Sequence, residues 1–472
     1  MTSAVGRGRG LIATMVVIVV CSGVVQGYLT PLLPVVGGHV GIGGVGQNNL
    51  YLLSQIAFTV LTPLLSRWGD MWGHRRLLLV AVGMVALGSL LIAARPTTAT
   101  LAFGMVLQSA VVGFFPLLAG ILRSRSPEHG RAGMSVLVGA LLLSIGTGGF
   151  VAGTLSDQHA LAGLWTAVPF CALAVAAAVA LPTSTAASHQ GRFNSPAALL
   201  LALGLGALML VLVQGGSWGW TSAPSLVTVA AAFVLLIAWI RVEQRSAHPL
   251  VDLGMLRNPR LAVISAHTFC IAFGAIGFLG ANAVYLGTAP DGDGSGLGLG
   301  AQAISLVSLA MVALGFLGAA LTPRLARAVG DRAVLSIGGC TGAAGFLSLC
   351  LFHSSVPQYL AGALVVGLST GVFEAATRTL SVEVVDEAET ALSVGVNEMA
   401  LSLGAAIGAA VIGALWAGNT TAQGSVTGAG YQWAWAVCAV AAFGGAAVGL
   451  FFRSSCDAPT PETGIAHAGG KA

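Results

Sequence analysis

Three ionisable residues interrupt apolar runs in the last third of the chain: Glu374 and Arg378 in "TGVFEAATRTL", and Glu398 in "SVGVNEMALS". An ionised side chain at the centre of a bilayer costs at least about 2.5 kcal/mol, so such groups face a cavity or a partner. A carboxyl group taken out of water holds its proton more tightly, which suits a group that loads and releases protons or cations. For Glu374 a structural role competes, because Arg378 lies four residues on and on the same helical face. Glu398 has no cation within a turn. His267, in a third apolar run, has a side chain that ordinarily titrates near neutral pH and completes the candidates for proton or cation coupling. Gln26, Gln55, Gln108, Asn282 and Tyr285 are the remaining polar candidates. Each can line a cavity or donate a hydrogen bond to a neighbouring helix.

A different constellation is "SRWGDMWGHRR" at 66–76, which sets Asp70 among Arg67, His74, Arg75 and Arg76 in a chain that is only 8% charged. Cations alone would serve to orient a membrane protein. An acid among them calls for a further role, and an acid that meets cations and a helix N-terminus at a helix end is stable there.

Membrane helices must hold all of these groups. The chain has 472 residues, 56% of them hydrophobic, and a mean hydropathy of +0.90. A soluble protein of this length would need far more charge to cover its surface. Apolar stretches of about 20 residues, the length that crosses a bilayer, recur near 11–35, 47–67, 76–95, 99–123, 131–155, 161–182, 196–215, 223–242, 261–287, 302–323, 333–352, 357–382, 391–416 and 430–452. The first run is longer than a signal-peptide core and is read as a retained helix. With the N-terminus placed in the cytoplasm, Arg75, Arg76, Arg123, Arg125, Arg192, Arg241, Arg245, Arg324, Arg332 and Arg453 fall on the cytoplasmic side, and only Arg95 falls outside. The positive-inside rule therefore supports fourteen spans with both termini cytoplasmic.

Residues 66–80 also overlay residues 323–337 after a shift of 257 positions, matching Arg67 to Arg324, Gly73 to Gly330, Arg75 to Arg332 and Leu78 to Leu335. A shift of eight helices in a fourteen-helix chain means two six-helix halves with a two-helix insert. Such duplication is a transporter signature, because a site between halves opens to either side when one rocks against the other. The expected divisions are an N-terminal six-helix bundle at 1–182, an insert with its linkers at 183–260, a C-terminal six-helix bundle at 261–452, and a disordered cytoplasmic tail at 453–472.

The loop at 66–76 and this topology make the chain resemble the major facilitator superfamily, in particular its fourteen-helix drug:proton antiporter branch. The family's loop pattern is matched by Asp70, Gly73, Arg75 and Arg76, while Ser66, Met71 and His74 depart from it. The resemblance implies that these four form a conformational gate. It also implies a glycine signature for helix packing in span five, met by Gly146, Gly149 and Gly153 with Phe150 where a proline is usual. The branch's arginine in span four is replaced by Met105, and its aspartate in span one has only Gln26 near it. No acid lies within the first six spans, so proton coupling, if this chain has it, belongs to Glu374 and Glu398 in the C-terminal half.

Several matches to other chemistries are rejected on context. "GIGGVG" at 41–46 follows no strand, and "GLSTG" at 367–371 sits inside a membrane helix. The loop containing Asp291 and Asp293 has Gln302 where a calcium loop needs glutamate. None of the seven cysteines forms a CxxC pair. The expectation is an all-α polytopic membrane protein of the bacterial cytoplasmic membrane that is not an enzyme and needs no metal or cofactor. It is expected to be a monomer that exports small lipophilic molecules by alternating access, in exchange for protons, with the lipid bilayer as its surroundings and no nucleic-acid partner. The alternatives are a symporter or facilitator of another small solute, or a non-transporting sensor or lipid-handling protein on the same fold.

Overall fold

The computed structural model describes residues 2–125, 130–182, 194–247, 249, 253–290, 295–385, 390–421 and 424–453. All but Arg453 of the expected tail lies outside the described residues. Fourteen helical spans are present among the described residues. Span one is α1 (Thr2–Tyr28) and α2 (Leu33–Val40), separated by a short 3-10 turn at Thr30–Leu32. Then come α3 (Gly44–Trp72) and α4 (His74–Ala94). Span four is split into α5 (Thr98–Gln108) and α6 (Phe114–Arg125) by the 3-10 turn Ser109–Gly113. They are followed by α7 (Gly130–Gln158), α8 (Ala167–Ala180), α9 (Ser195–Trp218) and α10 (Ala223–Arg245). Span nine is broken into α11 (Pro259–Ala275) and α12 (Leu279–Gly287). The last five spans are α13 (Ala301–Val329), α14 (Asp331–Leu351), α15 (Val356–Glu383), α16 (Thr390–Ala417) and α17 (Gly428–Gly449).

Several of these helices begin where a short polar side chain can cap them. Thr97 and Thr100 form a reciprocal capping box on α5. Asn194, Ser222 and Thr427 accept from backbone N–H groups in the first turns of α9, α10 and α17. Thirteen helical segments are long and apolar enough to cross a bilayer. The fourteenth, α3, is 29 residues long but opens with Gln47, Asn48 and Asn49 and carries Gln55, which lower its hydropathy.

The repeat seen in the sequence is carried by the backbone. The ends of α3 and α4 recur 257 positions later as the ends of α13 and α14. Gly73 joins the first pair with φ 95°, and Gly330 joins the second with φ 81°. A side chain with a Cβ is strained at such angles by about 1–2 kcal/mol. Gly73→Ala is accordingly expected to lower thermal stability in detergent by about that amount. Gly83→Ala, in the middle of α4 where a Cβ meets nothing within 4 Å, is expected to leave stability unchanged or raise it.

Helices cross closely where small residues meet. Gly23 and Gly27 of α1 lie against Ser144 and Ile145 of α7, so a Cβ on either would collide with the facing helix. Gly404 and Gly408 of α16 meet Phe269 and Phe273 of α11 in the same way. One apolar core gathers Met15, Ile18, Leu78, Val85, Phe114 and Leu164 from the first six spans. Another gathers Tyr285, Phe346, Tyr359, Trp416 and Trp435 from the last six. The insert helices α9 and α10 pack on each other and bring Leu201, Leu205 and Trp239 against Val396 of α16, with Ile56, Val60 and Leu64 of α3 alongside. The insert therefore lies against the seam where α3 and α16 meet.

Candidate functional site

Glu374, Arg378 and Glu398 come together in one cluster. Arg378 Nη1 donates to Glu374 Oε2 at 2.8 Å within α15, and its Nε donates to Glu398 Oε1 at 2.8 Å across to α16. The cation that Glu398 lacks on its own helix is thus supplied by the neighbouring one. The three side chains are 18–31% exposed, and among the described residues they have no other side-chain hydrogen bond or ion pair. Two carboxylates and one guanidinium leave the cluster with one negative charge in excess. Glu374 is nine residues from the end of α15 and Glu398 eight from the start of α16, about 12–14 Å along each helix. Local bonds hold the two helices in register. Ser393 Oγ donates to the Ser381 carbonyl between them, and Thr268 of α11 donates to Asn397, next to Glu398, at 2.7 Å.

The first and last six spans also meet on the arginine-poor side. Asn48 Nδ2 of α3 donates to the Ala409 carbonyl of α16 at 2.7 Å. Tyr51 Oη donates at 2.7 Å to the Ile276 carbonyl in the break between α11 and α12, an oxygen that also accepts from the Leu279 N–H at 3.1 Å. Gly153 of α7 lies against Ala301 and Ser305 of α13, and Gly146 against Leu309 and Val312. Gly149 faces the Gly27 carbonyl of α1 instead. Asn48 and Tyr51 belong to the polar opening of α3, inside the span expected at 47–67, and neither was among the candidate residues.

The remaining candidates are scattered. His267 is buried, with Nδ1 2.8 Å from the Gly445 carbonyl of α17, so it lies between two packed helices and apart from the charge cluster. Gln108 is buried and donates to Tyr28 Oη and Ser89 Oγ inside the N-terminal core. Gln55 is buried on α3. Asn282 accepts from Tyr359, and Tyr285 donates to the His353 carbonyl at 2.7 Å, both within an aromatic cluster near the arginine-poor ends of the last six spans. Gln26 is exposed on α1 and donates to Ser22 at 3.0 Å.

At the gate loop, Asp70 occupies the last turn of α3, and its side chain lies outside the described residues. Gly73 provides the turn described above. Arg75 Nη2 donates at 2.5 Å to the carbonyl of Val179, one of the last carbonyls of α8, which a helix leaves without a partner. Arg76 is exposed.

Comparison with known proteins places this architecture. The sequence pattern described as Major Facilitator Superfamily matches residues 264–469. A solved variant of the nucleoside transporter NupG superposes with a TM-score of 0.67 at 14% identity, covering 94% of this chain and 100% of that one. The C-terminal part of the chain thus matches the superfamily's sequence pattern, and the whole chain has the fold of its solved members. Its spans and these matches make it a multi-pass membrane protein with the fold of known transporters. The chain is similar to the multidrug resistance protein Stp of Mycobacterium tuberculosis, 24% identical over 390 residues that cover 79% of this chain and 70% of the relative. It is also similar to the probable actinorhodin transporter of Streptomyces coelicolor, 27% identical over 395 residues that cover 79% of this chain and 66% of the relative.

Proposed function

We propose that this transporter exports small lipophilic molecules from the bacterial cytoplasm in exchange for protons, and that Glu374, Arg378 and Glu398 carry the coupling. The observation behind this reading is the single arginine held by two carboxylates on different helices. A proton on Glu398 neutralises one of Arg378's two partners and loosens α15 from α16. Helix α16 also bears the Ala409 carbonyl that Asn48 holds at the seam, so its position is felt in both halves. The two six-helix bundles, 1–182 and 261–452, are the bodies that rock, and the loop of Asp70, Gly73, Arg75 and Arg76 is the latch between states. The arginine-rich side is the cytoplasmic one, and the seam is closed on the other. The relatives named for drug resistance and for actinorhodin support a small organic substrate, and the scarcity of charge in the spans supports a lipophilic one.

The test is flux into energised inverted membrane vesicles. Glu398→Gln is expected to reduce transport driven by a pH gradient to background while leaving downhill movement of substrate. Undiminished pH-driven transport in that variant would remove Glu398 from the mechanism. Flux in the unaltered protein that survives collapse of the proton gradient would make it a facilitator.

A further inference from the structure

Helix α10 ends at the arginine-rich side of the membrane in a small cavity. The cavity has a volume of about 310 Å³ and is lined by Asn194, Arg241, Val242, Arg245 and Ser246. Arg241 and Arg245 are exposed, and neither has a hydrogen bond or ion pair among the described residues. The wall behind them is fixed. The Asn194 side chain caps α9 through the Ala197 N–H and donates to Glu243 Oε2 at 3.3 Å, joining the start of α9 to the end of α10. Glu243 is only 2% exposed and lies two residues from either arginine, on the opposite side of the helix. Its carboxylate therefore faces the protein and not the cavity mouth. The start of α9, a 24-residue helix, adds the positive end of its dipole.

The same face of α10 continues into the bilayer. Phe233 and Ile237 are 60% and 49% exposed, and with Arg241 and Arg245 they form a run of i, i+4 neighbours. Val234 and Ile240 flank it, also exposed. From Phe233 to Arg241 is about 12 Å along the axis, close to the depth of one leaflet of a hydrocarbon core about 30 Å thick. An apolar strip one leaflet deep that ends at two unpaired guanidinium groups matches a molecule with acyl chains at one end and an anion at the other. A free anion would use the arginines and leave the strip without a role.

We propose that this cavity is a binding site for the phosphate headgroup of an anionic phospholipid, whose acyl chains lie along Phe233 and Ile237. Guanidinium pairs engage phosphate oxygens in a fork, and a basic pocket among helices at this depth is how headgroups are held. The bound lipid would lie on the exposed face of the insert helix α10.

The test uses the full-length purified protein and native mass spectrometry, with phosphatidylglycerol and phosphatidylcholine of the same acyl chains as probes. The unaltered protein is expected to retain phosphatidylglycerol in preference to phosphatidylcholine. Arg241→Gln with Arg245→Gln is expected to reduce that preference, by about fivefold for each arginine removed. Arg241→Lys with Arg245→Lys is expected to keep most of it, which separates loss of the site from loss of the fold. Arg332→Gln, on the same side of the membrane in α14, is expected to leave it unchanged. Equal retention of the two lipids overturns the proposal, as does an undiminished preference in the glutamine pair or an equal loss in Arg332→Gln. Inorganic phosphate that competes as well as whole lipid would mark a small-anion site and overturn it too.

Discussion

Arg378→Gln is expected to abolish gradient-driven transport and to destabilise the protein, the largest functional effect of any single polar substitution in the spans. The unaltered cluster is two carboxylates around one guanidinium. Without the cation, Glu374 and Glu398 would share an apolar surrounding with no positive partner. Removing one member of a fully buried ion pair costs about 3–5 kcal/mol, whereas exposed pairs are worth less than about 1 kcal/mol. At 18–31% exposure the expected cost is about 2 kcal/mol, between these limits. Thermal unfolding in detergent would read it. Combining Glu374→Gln, Arg378→Gln and Glu398→Gln removes every charge and is expected to recover most of that stability without restoring coupled transport. Arg378→Lys keeps the charge but replaces two directed N–H groups with one ammonium point. It is expected to fall between the unaltered protein and Arg378→Gln in flux. Full pH-driven transport in Arg378→Gln would show that the cluster is only a structural tie.

What the sequence made legible here was periodic and local. Fourteen spans follow from the recurrence of apolar runs, and the arginine asymmetry fixes their alternation. The overlay of Arg67 on Arg324 and Gly73 on Gly330 anticipates helices that begin and end at the same offsets. The pair Glu374–Arg378 was visible because four residues on a helix is a contact distance. The bond from Arg378 to Glu398 was not, since no spacing rule says which residues of two helices face each other. Span nine breaks without a proline. Gly277, just after α11, sits against the Ala405 carbonyl, and only packing reveals that. Tyr51 donates to a carbonyl inside this break, so its role depends on a feature the sequence could not show. Gln108 illustrates the same limit: a glutamine in a membrane span suits a cavity or a core equally well until Tyr28 and Ser89 are found beside it.

Gly153→Leu is expected to hold the seam open. Gly153 sits near the arginine-poor end of α7, where a Cβ would lie 2.6 Å from the Ala301 carbonyl and collide with Ser305 Oγ. Two turns earlier, a Cβ on Gly146 would lie 2.8 Å from Leu309. The closed seam therefore needs α7 and α13 at glycine distance, and the open state does not. Overpacking of this kind costs about 1–3 kcal/mol, and it falls on the closed state alone. Each 1.4 kcal/mol shifts a two-state population about tenfold. The expected result is a rise of about tenfold or more in labelling of Leu309→Cys by a membrane-impermeant maleimide added to the arginine-poor side, together with loss of turnover. Gly139→Leu lies at the other end of the same helix, where a Cβ meets nothing within 4 Å. It raises helix propensity as much as Gly153→Leu does, yet it is expected to change neither labelling nor flux. If both substitutions behave alike, the effect belongs to the helix and not to the seam. If Gly153→Leu transports normally, α7 and α13 do not have to close for a cycle to run.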